Sequence, residues 1–324
     1  MDDIRWFAPN RFCTLVVPRL QERGLAVALE GDRPARLAIA MDAQVAAAAY
    51  DYAARRRAAL IHYVWDLPPW RLGRGRHDWV WYALGRYWRL PRLGRRYAAR
   101  RGYYSRLRFV ARHAREVWVP SAGTAASVRA HFGLTARRVP FCYDSERFTP
   151  APAPRARAPS AVLLSISRLT PSKNQAAVIR AAARFTPKLA VRLIGEGPSR
   201  AELERLASGL GVACSIEGGL SDDAVVAAYR TADVVVCPSR FEGFGLTPLE
   251  AIACGAPVVA SDIPPHREFL GGVPHFFAPD DAAGLVAAIA AARSGPPPSP
   301  DAVRELTIAA AARRFADALA AHLR

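Results

Sequence analysis

The sequence predicts an α/β protein of two domains built on parallel sheets, and three observations carry that expectation. The chain has 324 residues, too many for one small domain and right for two of about 150 residues each. Its hydrophobic fraction is 51%, enough for a large buried core, while its charged fraction of 23% argues against disorder. From residue 161 onward, short apolar runs alternate with amphipathic helical patterns, the signature of a doubly wound parallel sheet. Such sheets bind ligands beyond the carboxyl ends of their strands.

The first half is the less regular. DIRWFAP (3–9) reads as a first strand, 13–23 as a helix and LAVALEG (25–31) as a second strand. AALIHYVWD (58–66) and EVWVPS (116–121) are clearer strands, and GTAASVRAHFG (123–133) is a helix that Ser121 can cap. Residues 70–115 fit no simple pattern. TPAPAPRARAPS (149–160) lacks apolar periodicity and reads as an interdomain linker. The expected domains are therefore 1–150 and 151–300. A last helix within 301–324, after the break GPPPSP (295–300), is expected to complete the first domain.

In the second half AVLLSIS (161–167), AVRLIGEG (190–197), CSIEGG (214–219), DVVVCPS (233–239) and APVVASD (256–262) read as strands. NQAAVIRAAARF (174–185), PSRAELERLASGLG (198–211), SDDAVVAAYRTA (221–232) and TPLEAIACG (247–255) read as the helices between them. Ser221 caps the third of these, with Asp222 and Asp223 in its first turn, where capping explains the acidic pair better than metal binding does.

Composition narrows the function classes. The five cysteines, Cys13, Cys142, Cys214, Cys237 and Cys254, are scattered and odd in number, against a disulfide framework or a zinc site. The first residues, MDDIRWFAPNRF, carry acids where a secretory signal needs bases, and no run of 18 apolar residues occurs. A cytoplasmic location is expected. The net charge of +17 is lopsided: residues 1–150 hold 27 Arg against 12 Asp and Glu, whereas 151–324 hold 18 Lys and Arg against 16.

The most informative stretch is CPSRFEGFGLTPLEAIACGAPVVASD (237–262). A strand ends near Pro238, a loop carries Glu242, Gly243 and Gly245, and a helix expected to hold Glu250 in its first turn follows. Glycines let backbone N–H groups approach a ligand, and the helix start offers free donors and partial positive charge to an anion such as a diphosphate. A carboxylate suits sugar or ribose because it accepts two hydrogen bonds from adjacent hydroxyls. Singly, Glu242 is a solvated loop acid and Glu250 a helix-dipole acid; loop, glycines and spacing together favour a ligand site.

EGFGLTPLEAIACGAPVVASD closely resembles the Glu-x7-Glu signature of retaining glycosyltransferase family 4. SRLTPSKNQ (167–175) is similar to the family's Arg…Lys diphosphate clamp, with Arg168 and Lys173. LIGEGPSRAELERLA (193–207) resembles its Gly-x-Gly turn and helix, and CYDSERFTP (142–150) the segment that closes its first domain. The resemblance spans about 140–262. It implies a GT-B fold, two Rossmann-like domains with parallel sheets and an interdomain cleft, and a hexosyltransferase that retains the donor's anomeric configuration without a catalytic metal or other cofactor. Glu242, Arg168 and Lys173 become the catalytic candidates. Gly195, Gly243, Phe244, Gly245, Leu246 and Glu250 become the donor-binding ones, with Glu242 on the sugar and Glu250 on the ribose. Independently of the family, two cations suit a diphosphate leaving group, whose charge grows as the glycosidic bond breaks. No Asp-x-Asp pair flanked by apolar strand residues and no His/Cys cluster with ligand spacing is present, so no metal is expected.

The N-terminal half departs from the family. The usual Gly-Gly loop is replaced by FAPNRFCTLVV (7–17), where Asn10 and Arg11, or a plain turn, stand in its place. Trp65 and Asp66 occupy the place of a His-Asp pair, and are the acceptor-side candidates; Trp65 can stack on a sugar face. Alternation puts His62 on the opposite strand face, as a core histidine with its hydrogen bonds satisfied. Residues 70–115 hold fourteen arginines and ten aromatics with Asp78 as the one acid. That mixture suits an anionic membrane surface, and so a lipid-linked or glycan acceptor with the protein peripheral on the inner face of a membrane. It also suits single-stranded nucleic acid or a solvated basic subdomain; no nucleic-acid motif accompanies it. The alternatives to a transferase are a phosphorylase or nucleotide-sugar epimerase of the same fold and, from another class, a basic nucleic-acid-binding protein.

Overall fold

The computed structural model describes residues 2–7, 11–31, 33–41, 43–68, 107–152 and 161–323. The chain divides into two compact units, one of Met1–Phe141 with Ile308–Arg324 and one of Cys142–Thr307.

The first unit holds strands β1 (Asp2–Phe7), β2 (Val27–Ala28), β3 (Ala35–Ala40), β4 (Ala59–Tyr63), β5 (Glu116–Val119) and β6 (Arg137–Arg138), all parallel, in the order β2-β1-β3-β4-β5-β6. Its helices include α1 (Arg11–Gln21), α2 (Ala43–Arg56) and α3 (Ala122–Phe132). Ser121 caps α3, its Oγ accepting from Thr124 N at 3.1 Å. The sequence reading gave a seven-residue strand at 25–31 and nothing at 35–56. The structure instead shortens the former to Val27–Ala28 and adds β3 and α2. Alanine supplies most of the apolar positions of ARLAIA and AQVAAAAYDYAARR, and its small side chain gives little contrast between buried and exposed faces.

The second unit holds β7 (Val162–Ile166), β8 (Ala190–Ile194), β9 (Cys214–Glu217), β10 (Val234–Cys237), β11 (Val258–Ser261) and β12 (His275–Phe277), again all parallel, in the order β12-β11-β10-β7-β8-β9. Around it lie α4 (Gln175–Ala182), α5 (Arg200–Leu210), α6 (Asp222–Thr231), α7 (Leu246–Ala253), α8 (Pro264–Leu270) and α9 (Ala282–Ser294). All four residues of β10 are buried, as a parallel strand covered on both faces requires. Leu163, Val178, Ile179, Val191, Leu193, Val234 and Ile289 share the main core. Ser221 caps α6 through Ala224 N at 3.3 Å.

Helix α10 (Ile308–Leu323) belongs to the first unit. Its Phe315 is fully buried, with ring centroids 5.4–6.0 Å from those of Trp6, Phe12, Tyr63 and Trp118. The units divide after Phe141 and after Thr307 rather than at 150/151 and 300/301. Hydrogen bonding explains the shift: Tyr143 N donates to Leu306 O at 3.1 Å, joining the two segments, and the Arg230 guanidinium of α6 donates to Thr149 O at 2.9 Å. Residues 142–149 and 300–306 are thereby tied into the second unit.

Candidate active site

Strands β7 and β10 are neighbours at the point where the strand order of the second sheet reverses. The space beyond the carboxyl ends of two such strands is where doubly wound sheets take ligands. The chain leaving β7 carries Arg168 and Lys173, and the chain leaving β10 carries Glu242 through Leu246.

The loop after β7 is held from two sides. Ser167 N donates to Ile194 O at 3.0 Å, and Leu169 N to Glu196 O at 2.8 Å. This approach requires glycine at 195: its φ is +147°, and a Cβ there would stand 2.0 Å from Ser167 O. Gly195 thus supports the Arg168 loop by letting two backbones meet. From the other side the buried Gln175 donates its amide to Ser167 Oγ at 2.7 Å and to Arg168 O at 2.9 Å. The sequence reading missed Gln175, since nothing local marks a glutamine at a helix start as an anchor. The Arg168 guanidinium is exposed and forms no ion pair among the described residues. Lys173 ends a 3₁₀ turn, Pro171–Lys173, and its Nζ lies 2.5 Å from Glu242 Oε1. The two side chains are only 17% and 20% exposed.

The loop after β10 is fixed by Arg240 N, which donates to Ser172 O at 2.8 Å, and by Arg240 pairing with Asp280. Phe244 is buried against Phe269, so it can offer a ligand only its backbone, while Leu246 is 41% exposed. Gly243 is half-buried and Gly245 buried, the latter at φ +94° immediately before α7. Thr247 Oγ1 donates to Ile166 O at 3.1 Å, tying the start of α7 to the end of β7. No side chain caps that start and no acid sits in its first turn, so its N–H groups remain available to an anion.

Glu250 is the fifth residue of α7 and lies in its second turn, a correction to the expected first-turn position: the helix begins one residue earlier than 247. Tyr229 donates its hydroxyl to Glu250 Oε2 at 3.0 Å. Burial, reinforced by Glu250, holds the Tyr229 hydroxyl protonated well above its ordinary range, so the donor is permanent. Cys237, at the end of β10, shows that the charged groups converge. Its thiol is raised by burial first, then by Glu242, is lowered by Lys173, and is raised again by Glu250.

In the first unit the half-buried Trp65 donates its indole N–H to Met41 O and lies among Phe12, Tyr63 and Phe141. Asp66 beside it is half-buried. His62 is fully buried as expected, but neither ring nitrogen has a hydrogen-bond partner among the described residues, and burial pushes its pKa down to about 3. Arg11 opens α1 and is exposed, whereas Asn10 and residues 70–106 of the basic, aromatic segment lie outside the described residues. Among the described residues no group of three or more His, Cys, Asp or Glu is arranged to hold a metal ion, and no helix is long and apolar enough to cross a membrane.

Residues 151–306 match the family described as "Glycosyl transferases group 1". A GDP-mannose-dependent alpha-(1-6)-phosphatidylinositol monomannoside mannosyltransferase of Mycolicibacterium smegmatis is 34% identical over 171 residues, 47% of this chain and 43% of that protein. A D-inositol 3-phosphate glycosyltransferase of Geodermatophilus obscurus is 36% identical over 168 residues, 44% of this chain and 37% of that protein. The chain thus spans less than half the length of these relatives. Among solved structures, Anabaena Alr3699/HepE in complex with UDP and glucose superposes with a TM-score of 0.72 at 16% identity, covering 99% of this chain and 100% of that one. The fold is of the GT-B type, and the group 1 glycosyl transferase match falls within its second unit.

Proposed function

We propose that the chain moves a hexose from a nucleotide-sugar donor to a glycan or lipid-linked saccharide, with retention of anomeric configuration and without a metal ion. One observation carries this reading. Lys173 and Glu242 meet at the switch point of a group 1 glycosyl transferase domain, flanked by the exposed Arg168 and the uncapped start of α7. The pair divides the work of a donor that is anionic at one end and rich in hydroxyls at the other. An arriving diphosphate competes for the Lys173 ammonium and releases Glu242 to accept from the sugar. Glu250, oriented by Tyr229, is suited to a pair of ribose hydroxyls. The backbone of Gly243–Leu246 serves the phosphates or the sugar.

As the bond between the anomeric carbon and the diphosphate oxygen breaks, negative charge gathers on the diphosphate. Arg168, Lys173 and the N–H groups of α7 stabilise it in place, without the reorganisation that water would need. Trp65 and Asp66 are the first unit's candidates for the acceptor side. The basic, aromatic segment 70–115 is proposed to meet an anionic membrane surface, which would make the protein peripheral on the cytoplasmic face.

The relatives' names point to GDP-mannose in one case, and the HepE structure contains UDP. The test therefore presents UDP-, GDP- and ADP-sugars with saccharide acceptors. It follows nucleoside diphosphate release and the anomeric configuration of the product by NMR. Release that requires an acceptor, with the configuration retained, is expected. Release that requires only phosphate points to a phosphorylase, and an inverted product removes the retaining assignment.

A further inference from the structure

His266 is a residue of the second unit that neither the sequence reading nor the proposed roles employ. It lies in α8, is 1% exposed, and its Nδ1 stands 2.9 Å from Ser261 O. A carbonyl can only accept, so Nδ1 carries the proton. Ser261 in turn donates its Oγ to Ser239 O at 2.5 Å, which joins the ends of β10 and β11 and fixes the ring's orientation. Burial lowers the imidazole's pKa, so the ring is neutral. Nε2 is then an acceptor with one lone pair, and among the described residues it has no hydrogen-bond partner.

That lone pair faces the donor loop. A Cβ on Gly245 would stand 3.0 Å from His266 Cδ2 and 3.2 Å from Nε2, so the ring lies directly against the turn that opens α7. Glu242 and Lys173 both act on the ring electrostatically, which brings it into the same neighbourhood as the ion pair. A buried polar atom without a partner is uncommon in a folded protein, and its place beside a ligand loop calls for a ligand atom to complete it.

We propose that His266 is a specificity-determining residue of the donor site: its Nε2 accepts a hydrogen bond from a hydroxyl of the transferred sugar. The inference rests on the nucleotide-sugar reading and deepens it. The chemistry of the acceptor selects the partner. A diphosphate at neutral pH has no proton to give, so Nε2 does not read the phosphates, whereas every sugar hydroxyl can donate to it. In the free chain Gly245 covers Nε2, and the glycines at 243 and 245 let that segment move as the sugar enters. The rival partners are protein groups, the Lys173 ammonium or a backbone N–H of the same turn after a shift of the loop. Either would make His266 a support for the loop rather than a reader of the sugar.

The experiment separates these by comparing two ligands per nucleotide, UDP with UDP-glucose and GDP with GDP-mannose, by calorimetry on the whole chain. His266→Phe keeps an aromatic ring but removes the Nε2 acceptor together with the Nδ1–H donor to Ser261 O, and His266→Gln keeps an acceptor and a donor. The Phe variant is expected to bind the nucleoside diphosphate as wild type does, which also shows that it folds. It should bind the nucleotide sugar about three- to tenfold more weakly, the range of one neutral hydrogen bond. The Gln variant should recover part of that loss. Equal weakening of both ligands would make His266 a loop support and overturn the inference, as would unchanged binding of both. Wild type that binds none of these four ligands, nor ADP or ADP-glucose, removes the donor-site reading and this inference with it.

Discussion

Gly195→Ala tests whether the Arg168 loop is held as described. The added methyl would lie 2.0 Å from Ser167 O and 2.9 Å from Ser167 C, both backbone atoms that cannot rotate away. The two loops must part by about 1 Å or more to reach van der Waals distance. That movement stretches the Ser167 N–Ile194 O bond of 3.0 Å and the Leu169 N–Glu196 O bond of 2.8 Å. Each bond contributes about 0.5–1.5 kcal/mol, and an alanine held at φ +147° adds about 1–3 kcal/mol of strain. The sum is about 2–6 kcal/mol, which at about 2–4 °C per kcal/mol for a domain of this size lowers Tm by about 4–24 °C. Gly209→Ala is the control. That residue lies inside α5 with nothing within 4 Å of the added methyl, and the change is expected to raise stability by about 0.5–1 kcal/mol. Thermal unfolding followed by circular dichroism reads both. A Gly195→Ala protein that melts with wild type would refute the packing argument, and with it the claim that this glycine fixes the clamp loop.

Three further outcomes are expected. Glu242→Ala should lower transfer by about a hundredfold or more while leaving the fold intact, the loss typical of a group that acts on the reacting centre; wild-type turnover would remove Glu242 from the site. Transfer should persist in EDTA, because the cations available to the diphosphate are side chains; loss restored by Mn²⁺ or Mg²⁺ would contradict this. Liposome sedimentation should show binding that rises with anionic lipid content and falls with salt, and that drops when Arg95, Arg96, Arg100 and Arg101 are changed to Gln. About 1 kcal/mol per engaged cation is the scale. Equal binding to neutral and anionic liposomes, or none to either, would leave segment 70–115 as a solvated basic face.

The second unit was readable from sequence through β11 because its central strands are buried on both faces. VVVC is an unbroken apolar run and VVAS is apolar up to its last residue. Alanine concealed β3 and α2, where helix and strand patterns differ little in hydrophobic contrast. Within the site, the groups that act through local spacing, the Glu242 loop and the following helix, were found at once. Arg168 and Lys173 were legible through the resemblance of SRLTPSKNQ to the family's diphosphate clamp. Gln175 and His266 were not. Gln175 anchors a loop seven residues behind it, and His266 meets Gly245 only because β10 and β11 lie side by side. Nothing in the sequence around either residue announces such a contact. The register of Glu250 moved for a smaller reason: Leu246, not Thr247, opens the helix.

The central claim is that the carboxyl ends of β7 and β10 receive the diphosphate of a nucleotide-sugar donor. Its most direct test is calorimetric binding of UDP, GDP and ADP to wild type, Arg168→Ala and Lys173→Ala. At least one nucleoside diphosphate should bind wild type, and each variant should lose about tenfold or more of that affinity, as removal of a charge-assisted hydrogen bond implies. Absence of binding by wild type, or affinities unchanged in both variants, would contradict the account.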